Sequence, residues 1–123
     1  MVTVPGFILR RLYVKTSLKN TPDGFEFQLR NRLGSGYAYK MSPLIVDGDE
    51  IPVDKVFFEM GGDPTSFADV SRENTFSLSM NKQITISVEG VTLEPGPRKI
   101  GMGFDVPGLG TLKFDFTDNV ADD

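Results

Sequence analysis

The chain has 123 residues, with 13 basic and 17 acidic side chains and a formal net charge of −4 at pH 7. It contains no histidine and no cysteine, which excludes disulfides, thiolate nucleophiles, cysteine zinc sites and Ser-His-Asp triads. The acidic balance argues against nucleic acid or an anionic membrane as the main partner. The length predicts one domain over residues 1–123, with loose termini at 1–6 and 119–123.

The first half of the chain is predicted to form strands separated by turns. Residues 8–18 alternate between apolar and polar types, which predicts a strand. The turn sequence at 21–24 contains Pro and Gly, and residues 25–30 alternate as a half-buried strand does. A polar loop is expected over 31–36, and Asp47-Gly48 predicts a tight hairpin turn.

The second half of the chain continues this pattern. One short helical turn is expected over 67–70, at the only place where the pattern allows a helix. Residues 84–88 alternate as a strand, and a Pro-Gly corner at 93–97 leads to an antiparallel pair over 100–106 and 112–116. The prediction is therefore an all-β fold, a single antiparallel β-sandwich of about seven or eight strands with an immunoglobulin-like architecture.

The N-terminal region is basic and carries no targeting signal. Arg10 and Arg11 interrupt the apolar start before a signal-peptide core can form, so we expect a cytoplasmic protein with no membrane attachment. Together with Lys15 and Lys19, these side chains could form a docking patch. They could also be a solvated strand face that complements the acidic C-terminus, and this second interpretation is favoured.

The carboxylates offer two candidates for chemistry, and neither is favoured. The acidic turn at 47–50 could hold Ca²⁺, although Asp-Gly is also what a tight hairpin requires. Glu59 with Asp63, or Asp115 with Asp118, could be a pair for glycoside hydrolysis, but such a pair needs a concave site. We therefore predict no catalytic residue and no metal ligand in this chain.

The densest group of arginine and tyrosine lies around the loop at 31–36. Arg30 and Arg32 are followed by Tyr37 and Tyr39. Both residue types are enriched at protein interfaces, and both also contact sugars. A solvated sheet face with scattered aromatic residues is an equally weighted alternative.

The order of several motifs is similar to that of a known family. Residues 24–30, Met41-Ser42, the hairpin at 46–52 and the corner at 93–96 occur in sequence. Together they resemble the small β subunit of bacterial C-glycoside deglycosidases. The resemblance implies a β-sandwich that assembles with a larger (β/α)-barrel subunit, which holds a divalent metal, usually Mn²⁺, and the acid/base residues. The complex cleaves the carbon–carbon bond between a 3-oxo sugar and an aromatic aglycone.

The resemblance therefore implies a non-catalytic accessory subunit in a hetero-oligomer, with no cofactor in this chain. Combined with the Arg and Tyr grouping, it indicates that the partner or substrate is contacted by Arg30, Arg32, Tyr37, Tyr39, Met41 and Ser42. The alternative is a free-standing immunoglobulin-like module that binds carbohydrate or protein.

Overall fold

The computed structural model describes residues 4–121, which form an all-β fold as predicted. The described elements are one short α-helix, α1 (Gly6–Leu9), three 3₁₀ turns (Arg10–Leu12, Val53–Lys55 and Phe67–Asp69), and the strands β1 (Lys19–Asn20), β2 (Gly24–Arg30), β3 (Gly36–Ala38), β4 (Lys40–Met41), β5 (Leu44–Val46), β6 (Asp49–Ile51), β7 (Val56–Glu59), β8 (Thr65–Ser66), β9 (Phe76–Leu78), β10 (Gln83–Glu89), β11 (Pro97–Val106) and β12 (Gly110–Asn119). Several strands are only two or three residues long, which is why they outnumber the seven or eight expected.

The strands form two main antiparallel sheets and one short ladder. The first sheet has the order β1-β2-β10-β7-β8, and the second has the order β12-β11-β5-β6, with β4 also paired to β11. The ladder joins β3 to β9. β11 and β12 form the predicted antiparallel pair, and the register places Ile100 opposite Phe116 and Phe104 opposite Leu112. The arrangement is that of an open sandwich.

The core lies between the inward faces of the two main sheets. On β2, Phe25, Phe27 and Leu29 are fully buried, as the alternation of this segment predicts. Phe27 contacts Phe116 of the second sheet edge to face, with the ring centroids 5.2 Å apart. Side chains from both sheets therefore meet in one hydrophobic core, whose burial is the main favourable contribution to folding.

The predicted N-terminal strand over 8–18 is wrong. The chain forms α1 there and then the 3₁₀ turn Arg10–Leu12, and the N–H groups of Ile8 and Leu9 both donate to the Pro5 carbonyl, at 3.0 and 3.1 Å. Leu9 and Leu12 are buried, and their separation of three residues places them on one helical face. A strand of period two would place Leu9 and Leu12 on opposite faces, so the alternating pattern concealed the helix. The expectation of a single helical turn in the chain is wrong for the same reason, although the turn at Phe67–Asp69 is confirmed.

The N-terminal segment covers the outer edge of the second sheet. The backbone of Gly6 lies so close to β12 that a Cβ atom on it would be 3.2 Å from the Lys113 carbonyl oxygen. The Arg10 side chain donates from Nε to the Asp115 carbonyl at 2.6 Å. These contacts cover part of β12, an edge strand whose free backbone groups could otherwise pair with another chain. They also place the basic side chains of this segment next to β12.

The turn between β5 and β6 and the C-terminal segment both have defined backbone geometry. Asp47 and Gly48 have φ of 49° and 93° and join β5 to β6, which confirms the predicted hairpin. Near the C-terminus, the Ala121 N–H donates to the Leu18 carbonyl at 2.8 Å. Loose termini were predicted at 1–6 and 119–123; of these, 1–3 and 122–123 lie outside the described residues, Gly6 begins α1 and Asn119 ends β12. Within residues 4–121, none of the helical segments has the length and hydropathy needed to cross a bilayer.

Candidate functional site

The side chains predicted to contact a partner do not form one site. Arg30 ends β2, Arg32 follows two residues later, and both are exposed and line the same groove. Tyr37 lies on β3, is 49% exposed and borders a different, apolar cavity. The two arginines are therefore brought together, whereas the tyrosine faces another feature of the surface.

The other three predicted contact residues have local structural roles. The Tyr39 ring is covered by the Arg72 guanidinium, whose central carbon lies 4.2 Å from the ring centroid. Met41 is only 4% exposed and lies opposite Phe104 in the second sheet. The Ser42 N–H donates to the Gly103 carbonyl at 3.0 Å. These residues hold the short strand β4 against β11.

A basic groove of about 850 Å³ runs between the N-terminal segment, the end of β2 and the end of β12. Five cationic side chains line it, namely Arg10, Arg11, Lys15, Arg30 and Arg32, and Asp118 is the one acidic side chain along it within the described residues. The groove therefore carries an excess of four positive charges (five minus one), although the whole chain has a net charge of −4. Such clustering creates a local potential that attracts anions.

Most of the groove cations have no acidic partner among residues 4–121. Arg10 pairs with Asp115 at 3.4 Å, as the interpretation of a charge-complementary N-terminus expects. Among residues 4–121, Arg11, Arg30 and Arg32 form no ion pair. Their guanidinium groups are therefore available for an external anion, and guanidinium binds carboxylate or phosphate through two parallel hydrogen bonds.

One wall of the groove is made rigid by an aromatic pair and a hydrogen-bonded carboxylate. The rings of Tyr13 and Phe116 stack with centroids 3.6 Å apart and planes inclined by 10°. The Tyr13 hydroxyl donates to Asp118 Oδ2 at 2.7 Å, and the Thr16 N–H donates to the same oxygen at 2.8 Å. These contacts tie the segment after α1 to β12, so the cations on that segment have a defined position.

The same contacts shift two pKa values. Burial, followed by the hydrogen bond to Asp118, raises the pKa of Tyr13 to about 12. Burial alone would raise the pKa of Asp118, but the hydrogen bonds from Tyr13, Thr16 and Asn119 outweigh it, so this pKa lies below its usual value. At neutral pH the phenol therefore stays protonated and the carboxylate stays charged.

An apolar cavity of about 390 Å³ lies beside the groove. It is enclosed by the β3–β9 ladder, the β11–β12 hairpin and α1, and most of its lining side chains are apolar, among them Ala38, Phe76, Leu78, Phe104 and Leu112. Cavities of this size and composition are typical of small-molecule sites.

Asn31 fixes the loop that separates the groove from the cavity. It is 2% exposed, and its side-chain amide donates to the carbonyls of Gly34 and Leu78 at 2.6 and 3.0 Å. Its side-chain oxygen accepts from the N–H groups of Leu33 and Gly34 at 3.1 and 3.3 Å. Sequence reasoning assigned this residue only to a polar loop. An Asn followed three residues later by Gly is a signal for such a local turn, and could have identified it.

The acidic turn at 47–50 is used structurally. Asp47 accepts hydrogen bonds from the Lys99 N–H at 3.0 Å and from the Arg98 guanidinium at 3.2 Å. These two contacts, the backbone one first, hold the pKa of Asp47 below its usual value. Within residues 4–121 there is no group of three side chains suited to hold a metal ion.

Comparison with known proteins corrects the family assignment. No curated protein matches the chain, but a family model described as Hydroxymethylglutaryl-CoA reductase, N-terminal domain, matches residues 8–121. The resemblance to the β subunit of C-glycoside deglycosidases is therefore wrong, and the lyase activity and carbohydrate metabolism that it implied have no support. The motifs that carried it are β2, the Asp47-Gly48 turn and a corner with Gly96 at φ 101°, which serve local backbone needs shared by many β domains. Because the match covers most of the sequence, the chain belongs to the family of Hydroxymethylglutaryl-CoA reductase N-terminal domains.

Proposed function

We propose that this chain is a non-catalytic accessory domain that binds a larger enzyme. The family name supports this proposal, because it describes the N-terminal domain of a reductase. We therefore propose that the partner is the catalytic part of a reductase, in the same polypeptide or in a separate one. A cytoplasmic location stays part of the proposal. The (β/α)-barrel partner and its Mn²⁺ were implied only by the overturned resemblance, and they lose their support with it.

The basic groove is the observation that carries this proposal. Its five cationic side chains lie around one concave surface of a chain that is acidic overall. A cluster of positive charge on a chain of negative net charge favours a partner with an acidic surface. Complementary potentials speed association and reject wrong partners. We expect the partner to present carboxylates to Arg11, Arg30 and Arg32, which form no ion pair among residues 4–121.

Apolar contacts would supply the rest of the binding free energy. Each exposed ion pair contributes only about 0–1 kcal/mol, and salt screens it. Phe7, at the same groove, is 67% exposed, and Leu33 is 37% exposed. Burying these two side chains against a partner would give the interface an apolar centre with a charged rim, which is the usual arrangement at such surfaces.

A capture experiment tests the proposal. The tagged chain is used to isolate partners from its native source at low salt, and bound proteins are identified by mass spectrometry. We expect a reductase chain, with binding weakened about tenfold or more by the double reversal Arg11→Glu and Arg30→Glu. The matched control reverses Lys40 and Lys55, which are exposed outside the groove, and it should leave capture unchanged.

Three results would contradict the proposal. Capture of the reductase chain that is equally sensitive to both double reversals would remove the groove as the docking surface. A chain that stays monomeric at micromolar concentration with its purified reductase partner would remove the accessory role itself. Turnover of a substrate by the purified chain alone would show that it is an enzyme.

A free-standing module that binds carbohydrate is the second candidate, and it has less support. Sugar recognition by stacking needs an open aromatic face. Of the two tyrosines expected to provide one, Tyr39 has a ring face covered by Arg72. A protein-binding module without a reductase partner would be distinguished by what the capture experiment isolates.

A further inference from the structure

The apolar cavity is large enough for a ligand and has an unusual opening in its wall. A cavity of about 150 Å³ lined by aliphatic and aromatic side chains holds benzene, and this one has a volume of about 390 Å³. Its lining mixes a few polar groups with many apolar ones, as ligand pockets do. A longer aliphatic chain would therefore fit against its apolar lining.

Gly36 marks where this space is open. On the β3–β9 ladder, Gly36 lies opposite Leu78 and Ala38 lies opposite Phe76. Ala38, Leu78 and Phe76 are buried, and Gly36 shares their face of β3 and lines the cavity, but Gly36 itself is exposed. A Cβ atom built on Gly36 would meet no heavy atom within 4 Å. Gly36 therefore lies at the open mouth of the cavity, where it presents no side chain.

The cavity and the basic groove meet at one residue. Leu33 lines both, and it directly follows Arg32, which lines the groove. The segment from Phe7 to Leu12 separates the two along the other side, because Ile8 and Leu9 line the cavity whereas Phe7 and Arg11 line the groove. An apolar pocket thus adjoins a cationic one.

We propose that the cavity binds the aliphatic chain of an anionic amphiphile, whose carboxylate or phosphate lies in the basic groove near Arg32. The apolar lining would take the tail, because removing methylene groups from water is favourable. The guanidinium would select an anionic head over a neutral or cationic one. This site needs no protein partner, and it goes beyond the docking role proposed above.

Binding is tested with three probes that have linear alkyl tails of nearly equal length. Dodecanoate, dodecyl phosphate and dodecyltrimethylammonium are titrated below their micelle concentrations, and the methyl signals of Ala38 and Leu78 are followed by NMR. We expect saturable shifts with both anions and about tenfold weaker binding of the cation. The anion that binds more tightly identifies the head group. Magnetisation transfer from the tail to these two methyl groups locates the ligand without any variant.

Two matched pairs of variants separate the tail from the head. Gly36→Val places a branched side chain at the mouth of the cavity and should weaken dodecanoate about tenfold or more, whereas Gly62→Val, at another glycine with free space, should not. Arg32→Gln should weaken the anions about fivefold and leave the cation unaffected, whereas Arg72→Gln, at an exposed arginine outside the groove, should change neither.

The outcomes are distinguishable from those of the docking proposal. Absence of saturable shifts, or equal weakening by Gly36→Val and Gly62→Val, would overturn the tail site. Equal binding of anions and cation would overturn the placement of the head. Gly36→Val is expected to leave capture of the protein partner unchanged, so either proposal can fail while the other stands.

Discussion

The Tyr13 hydroxyl donates a hydrogen bond of 2.7 Å to Asp118 Oδ2, across 105 residues of sequence. Asp118 also accepts the Thr16 N–H, and the Tyr13 ring lies flat against Phe116. This cluster connects the basic N-terminal segment to the last strand. The cations on this segment are therefore positioned in part by one phenol and one carboxylate, whereas Arg30 and Arg32 are positioned by β2 and the loop after it.

Tyr13→Phe should reduce the free energy of unfolding at neutral pH by about 1–2 kcal/mol, since it removes a hydrogen bond to a charged group at a partly solvated site. In the wild type the pKa of Tyr13 is raised from 10.0 to about 12, so its contribution is complete below pH 10 and is lost as the pH rises to about 12. Urea unfolding across this range should show the two proteins converging. Parallel curves for the two proteins up to pH 12 would contradict this prediction.

The Asp118 carboxylate should control stability at the acidic end. Its pKa lies below the ordinary value of 3.8, so its contribution is present above that pH and is lost as the pH falls through the lower value in the folded state. Asp118→Asn should be less stable than the wild type at pH 7, and the difference should shrink in acid. A double-mutant cycle with Tyr13→Phe measures the coupling, and additive effects would show that the two groups act independently.

Gly24 is required by a close approach of two strands. A Cβ atom at this position would lie 1.8 Å from the Val88 carbonyl oxygen and 3.3 Å from the Glu89 Cα. Because these are backbone atoms of β10, Gly24→Ala should reduce the free energy of unfolding by about 3 kcal/mol or more. Gly36→Ala is the matched control on a strand with free space, and it should stabilise by about 0.5 kcal/mol. Equal effects in chemical denaturation would contradict the argument.

Phe76 joins the ladder to both main sheets. Its ring lies 4.8 Å from Phe58 of the first sheet and 6.4 Å from Phe104 of the second, measured between centroids. Phe76→Ala should therefore cost about 3–5 kcal/mol, through lost burial and an enlarged cavity. Phe7→Ala, at a side chain that is 67% exposed, should cost less than about 0.5 kcal/mol. Thermal unfolding of both variants tests this, and similar melting temperatures would contradict it.

The local sequence pattern was enough to predict those elements in which the pattern fits only one type of backbone structure. In β2, three buried apolar residues alternate with more exposed ones, and in the turn between β5 and β6 the Asp-Gly pair adopts the positive φ angles that this dipeptide favours. The N-terminal segment fits two structures, because alternation places Leu9 and Leu12 on opposite faces of a strand, whereas a helix buries both on one face. The contacts of α1 with β12 decided between them, and the sequence order does not contain those contacts.

For the candidate site too, some properties follow from the sequence and others only from the tertiary structure. Composition alone determined that the chain lacks histidine and cysteine and so cannot use their chemistry, and alternation determined that it is an all-β protein. Only the tertiary structure decided that Arg11 and Arg30 line one groove, and that Tyr37 borders a separate cavity. The physical reason is that backbone periodicity is a property of neighbouring residues, whereas a binding surface is assembled by strand pairing between residues distant in sequence.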